Sequence, residues 1–399
     1  MTVIPFTDAK RSKSVVQEFS PEATVVSSCS ADPATIEIVT PTAVVYCEKN
    51  FGRIDGKTAN GLVRHSEKYR IVAVIDSAAE GLDAGEMLDG KPNGIPVLRD
   101  LGAALRGVES KPDYFIFGMA PATGMLSADE REVVLMAIQS GMNVVNGLHE
   151  FLNDDPEFMT AAKAANVTIL DVRKPRPKNA LRLFSGRIQD VKCPRIAVLG
   201  TDCAIGKRTT ASILTRALNE HGIRATMITT GQTGLMQGAR FGVALDAVPS
   251  QFCCGELEAT IVSAYESEQP DVIIIEGQGA LSHPAFCTSA FILRGSMPDG
   301  IILQHAPARK HRCDFEAMAM PSPRSEIDLI QAFATTKVIG LTLNHENMSD
   351  DAVSSAITMY ANELGIPVTD ALTHPTDLLV QMVLSAYPQL ATKMSAQSQ

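Results

Sequence analysis

Arg195-Ile196-Ala197-Val198-Leu199-Gly200-Thr201-Asp202-Cys203-Ala204-Ile205-Gly206-Lys207-Arg208-Thr209-Thr210 is the stretch on which the reading of this chain turns. An apolar, β-branched run predicts a buried strand, and the pattern after it, through Ser212, Leu214 and Leu218, predicts a helix. Between them lies a glycine-bounded loop that ends on a lysine. This is the order of a phosphate-binding loop, in which backbone N–H groups and a helix N-terminus converge on an anion and the lysine neutralises its charge. The candidate anion-binding residues are therefore Gly200, Thr201, Cys203, Ala204, Ile205, Gly206, Lys207, Arg208, Thr209 and Thr210.

The loop departs from the common pattern in two ways. Five residues separate Gly200 from Gly206, where the usual motif has four; in this longer form it resembles the loop of the dethiobiotin synthetase family. The position after the lysine, which usually carries the hydroxyl that ligates Mg²⁺, is Arg208. A guanidinium cannot ligate a metal. Unless Thr209 or Thr210 replaces that hydroxyl, the site is expected to hold a diphosphate through Lys207 and Arg208 without hydrolysing it.

Working outward, an acidic residue ends the apolar strand Asp271-Val272-Ile273-Ile274-Ile275, giving Glu276-Gly277-Gln278-Gly279. In parallel sheets ligands bind at the carboxyl ends of strands, so Glu276 is expected beside the phosphate loop. The same edge should receive Thr230-Gly231-Gln232-Thr233-Gly234, read as a polar turn after the strand Ala225 to Thr229. N-terminal to the loop, the strand Ala43 to Cys47, the loop Asn50 to Thr58 with its helix, and a strand Ile71 to Ile75 ending on Asp76 imply a dinucleotide-binding half without a GxGxxG match. Strands and helices alternate onward to Leu170, which implies an α/β fold of parallel sheets. The expected division is an N-terminal extension over 1–40 with strand-like fragments at Val25-Val26 and Ile36 to Val39, a Rossmann-like domain over 41–173, a basic linker over 174–194, and a phosphate-loop, P-loop NTPase-like domain over 195–399.

Composition narrows the function classes. At 399 residues with a 45% hydrophobic fraction and a net charge of -10, the chain reads as a multidomain globular protein without a nucleic-acid-binding surface. Its eight cysteines include no CxxC pair, as in reduced cytoplasmic proteins. There is no signal-peptide core and no apolar run of membrane-spanning length, so a cytoplasmic location and no membrane partner are expected. His283, His305 and His311 with Cys287 or Cys313 lack the spacing of a zinc site, and no metal is expected. A homo-oligomer is expected.

Several motifs in order carry a family resemblance: Asn50-Phe51-Gly52, Gly56-Lys57-Thr58, Gly200 to Thr210, Gly231 to Gly234, Glu276 to Gly279 with Ser282-His283-Pro284, and Gln304-His305-Ala306-Pro307. Over roughly residues 40 to 390 the chain resembles domain-of-unknown-function family 1611. The resemblance implies a Rossmann-like domain followed by a phosphate-loop domain, and N-acetyl transfer from acetyl-CoA to a small amino acid, D-glutamate above all. Such a reaction needs a base for the amine, for which a partly desolvated Glu276 is the first candidate and Asp202 the second. It needs oxyanion donors, offered by Gln278 and the backbone at Gly277 and Gly279. It also needs contacts for a dicarboxylate: Arg309, Lys310 and Arg240 as cations, with Gln232, Thr233, His283 and His305 nearby. A Mg-nucleotide-dependent ligase or kinase like dethiobiotin synthetase, and a non-catalytic nucleotide sensor, are the rival readings.

Overall fold

The computed structural model describes residues 40–121 and 123–396; the strand-like fragments read at Val25-Val26 and Ile36 to Val39 lie outside them. Two parallel sheets organise the chain. The first contains β1 (Thr42–Tyr46), β2 (Arg70–Ile75), β3 (Val97–Leu98), β4 (Tyr114–Phe117), β5 (Asn143–Asn146) and β6 (Ile169–Asp171), in the order β3-β2-β1-β4-β5-β6. That is the strand order of a dinucleotide-binding fold.

The second sheet takes in β7 (Arg195–Gly200), β8 (Ala225–Thr229), β9 (Phe241–Gly242), β10 (Val272–Glu276) and β11 (Gly300–His305). A hairpin of β12 (His311–Arg312) and β13 (Phe315–Ala319) stands apart, and β14 (Lys337–Leu343) and β15 (Val368–Asp370) complete the sheet in the order β15-β14-β11-β7-β10-β8-β9. From β7 the chain winds out to one edge, returns through β10, and crosses to the other side. The loop after β7 therefore opens at the point where the winding reverses, the usual place for a ligand in an open parallel sheet.

The central strands are apolar on both faces because helices cover both. Val272, Ile273, Ile274 and Ile275 are fully buried, as are Ile196, Ala197 and Val198 beside them. At roughly 1.5–3 kcal/mol per large buried side chain, this core holds the strand ends that carry the polar loops. Helix starts follow ordinary capping chemistry: Ser127 and Glu130 form a reciprocal capping box, and Asp155 accepts from the Glu157 N–H ahead of Pro156. Among the described residues no helix is long and apolar enough to cross a membrane.

Two local differences from the sequence reading matter for the site. The segment read as a polar turn at Thr230 to Gly234 enters a short helix, Gln232–Gln237. Its Met236 is buried in the apolar core of the first sheet; burial against the other domain, invisible to local pattern, makes it helical. The hairpin has no sequence signal because β13 is largely exposed and has no apolar alternation.

The basic segment after Asp171 lies against the second domain. Arg176 pairs with Glu256, Glu256 also accepts from the Arg182 N–H, and Glu258 accepts from the Ser185 and Ile188 N–H groups. Glu256 and Glu258 are themselves buried.

Candidate active site

The phosphate loop has the predicted place, with β7 before it and the helix Lys207–Glu220 after it. Gly206 turns the chain into that helix at φ +100°, a conformation L side chains rarely adopt. Lys207 is buried, and its ammonium donates to the Asp202 carbonyl. Burial lowers its pKa. A lysine folded back on its own loop in this way can exchange that carbonyl for an incoming anion.

The polar groups beneath the loop are committed to holding it. Arg309 has five N–H donors, and all are engaged: with Glu346 Oε1 and Oε2, Asp202 Oδ2, and the carbonyls of Cys203 and Ala204. It is a strut for the loop and has no donor free for a substrate carboxylate, contrary to the expectation for a substrate cation. His305 accepts or shares a hydrogen bond with Thr201 Oγ1 at 2.9 Å and meets the Tyr360 hydroxyl at 3.2 Å. Burial brings its pKa down to about 4, so it is a neutral structural group. Thr210 donates to Gln304 Oε1 and Thr209 points to solvent, so neither supplies the missing metal hydroxyl.

Arg208 also departs from expectation. Its side chain runs away from the loop, where Nε donates to Gln237 Oε1 and Nη1 lies 3.8 Å from Glu276 Oε2. Glu276 Oε2 further accepts from Thr229 Oγ1 and from the Thr230 N–H, and the Glu276 carbonyl accepts from Thr230 Oγ1. Glu276 is thus at the predicted strand end, but it is fastened to the neighbouring strand and to Arg208. Those contacts all fall on Oε2, so the carboxylate is held from one side. Gln278 donates to the Thr230 carbonyl, leaving its Oε1 buried and without a partner. One of its two amide N–H donors is thereby engaged in the fold.

Asp202 is completely buried; Oδ2 accepts from Arg309 and from the Cys313 N–H, while Oδ1 has no partner. His283 Nε2, also buried and unpartnered, lies 3.7 Å from it, and Cys203 Sγ is within 4.8 Å of both groups. This cluster resembles a set of metal ligands, but the ring chemistry does not fit one. His283 Nδ1 accepts from the Ala285 and Phe286 N–H groups, so the ring proton belongs on Nε2, the nitrogen a metal would need free. Metal-binding histidines instead donate from their second nitrogen. The pair is a stretched donor–acceptor contact under the loop.

Arg240 does not join the group, whereas Lys310 lines an open cleft with His305 and Arg309. Arg240 is exposed and pairs with Glu268, which also accepts from Thr226 near the opposite end of β8. Lys310 is exposed at the base of the hairpin.

The N-terminal domain reaches the same edge. Gln232 donates to Thr58 Oγ1 at 3.4 Å, Thr58 and Thr233 hydroxyls meet at 3.1 Å, and Gln237 donates to the carbonyls of Gly61 and His65. Gly234 lets the helix Gln232–Gln237 lie close against the end of β8, since a Cβ there would lie 1.8 Å from Thr229 Oγ1. Lys57, at the start of the helix Lys57–Arg64, is exposed and its ammonium has no partner among the described residues; its charge is felt at Cys203 and Lys207. The sequence places Lys57 in a motif without giving it a role, marks Thr229 only as the end of a strand, and does not single out Gln237. Only Lys57 had a legible signal, as a cation on a loop at the carboxyl edge of a strand.

The acid that could receive a ribose in a dinucleotide site, Asp76, is closed. Its carboxylate accepts from the N–H groups of Lys49, Phe51 and Ala78, so it staples the loop after β1.

Residues 182–380 match the family described as "Domain of unknown function (DUF1611_C) P-loop domain", and residues 77–175 match "Domain of unknown function (DUF1611_N) Rossmann-like domain". A protein named D-glutamate N-acetyltransferase from a Pseudoalteromonas species is 32% identical over 272 residues, which are 67% of this chain and 80% of that one. A second of the same name, from Tritonibacter scottomollicae, is 28% identical over 271 residues, covering 66% and 79%. A solved structure from Anabaena variabilis, described as a DUF1611 family protein, superposes with a TM-score of 0.79 at 32% identity, covering 86% of this chain and 99% of that one.

Proposed function

This chain belongs to the DUF1611 family, and from that premise we propose that it is an N-acetyltransferase that moves the acetyl group of acetyl-CoA to the amine of D-glutamate. The observation that carries the reading is the pairing of Arg208 with Glu276. In nucleotide hydrolases the residue after the loop lysine and the acid on the neighbouring strand together hold Mg²⁺. Here those two positions hold each other, which removes the metal's seat and leaves the loop's N–H groups and Lys207 for an anion that is bound and not cleaved. A coenzyme A diphosphate fits that requirement.

The same occupant moves the chemistry away from the loop. The pantetheine arm spans roughly 15 Å from diphosphate to thioester, the length of four to five extended residues. Glu276 and Asp202 lie at the diphosphate end of that arm, so the acetyl group is transferred farther out, toward the edge of the N-terminal sheet.

The test is incubation of the full chain with acetyl-CoA and a panel of D- and L-amino acids, following release of free thiol, in parallel with Mg²⁺ and ATP or GTP. Thiol release that depends on D-glutamate, and persists in EDTA, is expected. Metal-dependent nucleotide turnover without thiol release would replace the reading with the ligase or kinase alternative.

A further inference from the structure

An acetyl transfer placed an arm's length from the phosphate loop needs a proton acceptor on the facing wall. Ligands gather at the carboxyl ends of parallel strands, and on the N-terminal sheet β5 delivers Gly147-Leu148-His149 to that edge. The second domain is seated against this turn: Met236 Cε would lie 2.7 Å from a Cβ at Gly147, and Arg173 donates to the Gly147 carbonyl and pairs with Asp246 at 2.9 Å. Asp246 in turn follows Leu245, whose N–H donates to the Thr230 carbonyl beside Glu276. The turn at His149 is thereby tied to the strand ends that flank the phosphate loop.

His149 itself is unusual among the histidines of this region. Its side chain is 45% exposed and forms no hydrogen bond among the described residues, and Nε2 lies 3.9 Å from Asp246 Oδ2 across the domain boundary. The charge of Lys57 is felt at His149 as well as at Cys203 and Lys207.

We propose that His149 is the proton acceptor for the attacking amine, with Asp246 orienting its ring and Lys57 holding a carboxylate of the amino acid. This rests on the acetyltransferase reading above. The amino acid first loses one proton from its ammonium to solvent. The neutral nitrogen then attacks the thioester carbonyl, the C–N bond forms and the C–S bond breaks, and the second nitrogen proton passes through the open ring nitrogen of His149 to the leaving sulfur. The net reaction yields the N-acetyl amino acid, free coenzyme A and one proton.

The charged groups facing the ring agree with that task. Arg173 and Lys57 oppose a charge on it, Asp246 favours one, and burial is the largest influence; together they lower its pKa from the ordinary value. Glu150, on the same turn, is turned toward Arg131 and the Leu126 N–H. An imidazole neutral at pH 7 keeps a lone pair for the amine proton.

The test uses full-length wild type, His149→Gln and Lys57→Met, with amino-acid-dependent thiol release from acetyl-CoA measured from pH 5 to 9 and coenzyme A affinity measured by calorimetry. His149→Gln is expected to lower kcat roughly 10²–10⁴-fold at pH 7, to lose the acidic limb of the pH profile, and to bind coenzyme A as wild type does. Lys57→Met should raise KM for the amino acid at least tenfold more than it lowers kcat. A His149→Gln enzyme that keeps more than a tenth of the wild-type rate, keeps the acidic limb, or loses coenzyme A binding overturns the assignment, as does an unchanged KM in Lys57→Met. A wild-type chain that releases no thiol with any amino acid overturns the reading on which it rests.

Discussion

Replacing Arg208 with methionine removes the group that stands between Glu276, Gln237 and the N-terminal domain. The guanidinium is a fifth exposed and the Glu276 side chain 6% exposed, so solvent screens the contact only in part. The charge-assisted hydrogen bond to Gln237 accounts for roughly 1.5–3 kcal/mol. Leaving Glu276 without its cation adds to this, though less than the roughly 3–5 kcal/mol of a well-formed buried pair, because the 3.8 Å separation is not a direct hydrogen bond. A total loss of about 3–5 kcal/mol follows, or a fall in apparent Tm of roughly 6–20 °C at about 2–4 °C per kcal/mol. The assay is thermal and urea unfolding of wild type, Arg208→Met, Glu276→Gln and the double variant. A coupling of roughly 1–3 kcal/mol is expected between the two sites. Coenzyme A affinity should change little in Arg208→Met, since Arg208 does not face the loop. If Arg208→Met costs less than about 0.5 kcal/mol, or Glu276→Gln costs the same in both backgrounds, the two residues do not neutralise each other and the argument against a metal seat collapses.

Lys207→Ala should weaken coenzyme A binding by about 1.5–3 kcal/mol, equally with and without EDTA, by calorimetry. Glu276→Gln should keep acetyl transfer within about tenfold of wild type, well short of the roughly 10²–10⁴-fold loss expected of a general base; a loss of that size in the thiol-release assay restores Glu276 to that role. His305 has a folded-state pKa of about 4, below the roughly 6.5 of an unfolded histidine. The unfolded chain therefore binds more protons between those values, and stability should fall as pH drops from about 6.5 to about 4, by on the order of 3 kcal/mol; urea unfolding of His305→Gln should lack that component. Met236→Ala, which empties a buried site in the neighbouring domain's core, should lower stability by roughly 2–5 kcal/mol and raise KM for the amino acid, measured on the soluble variant.

Two sheets were legible in the residues because the information is local: β-branched runs buried on both faces, glycine-bounded loops after them, and an acid or a lysine at the carboxyl end. The position of Lys207 and of Glu276 follows from those runs alone, since a parallel strand delivers its last residue to the ligand edge whatever its neighbours are. What those side chains do there does not follow. Arg208 reads as a counter-ion beside the lysine until Gln237, 29 positions away, and Glu276 draw it to the other side. Arg309 reads as a substrate cation until Asp202, 107 positions earlier, and Glu346 use up its donors. His149 carries no motif; its surroundings are set by the packing of Met236 against Gly147 and by the Arg173–Asp246 pair. A side chain's chemistry is decided by which donors, acceptors and charges lie within a few ångströms of it, and those come from segments that only the folded chain brings together.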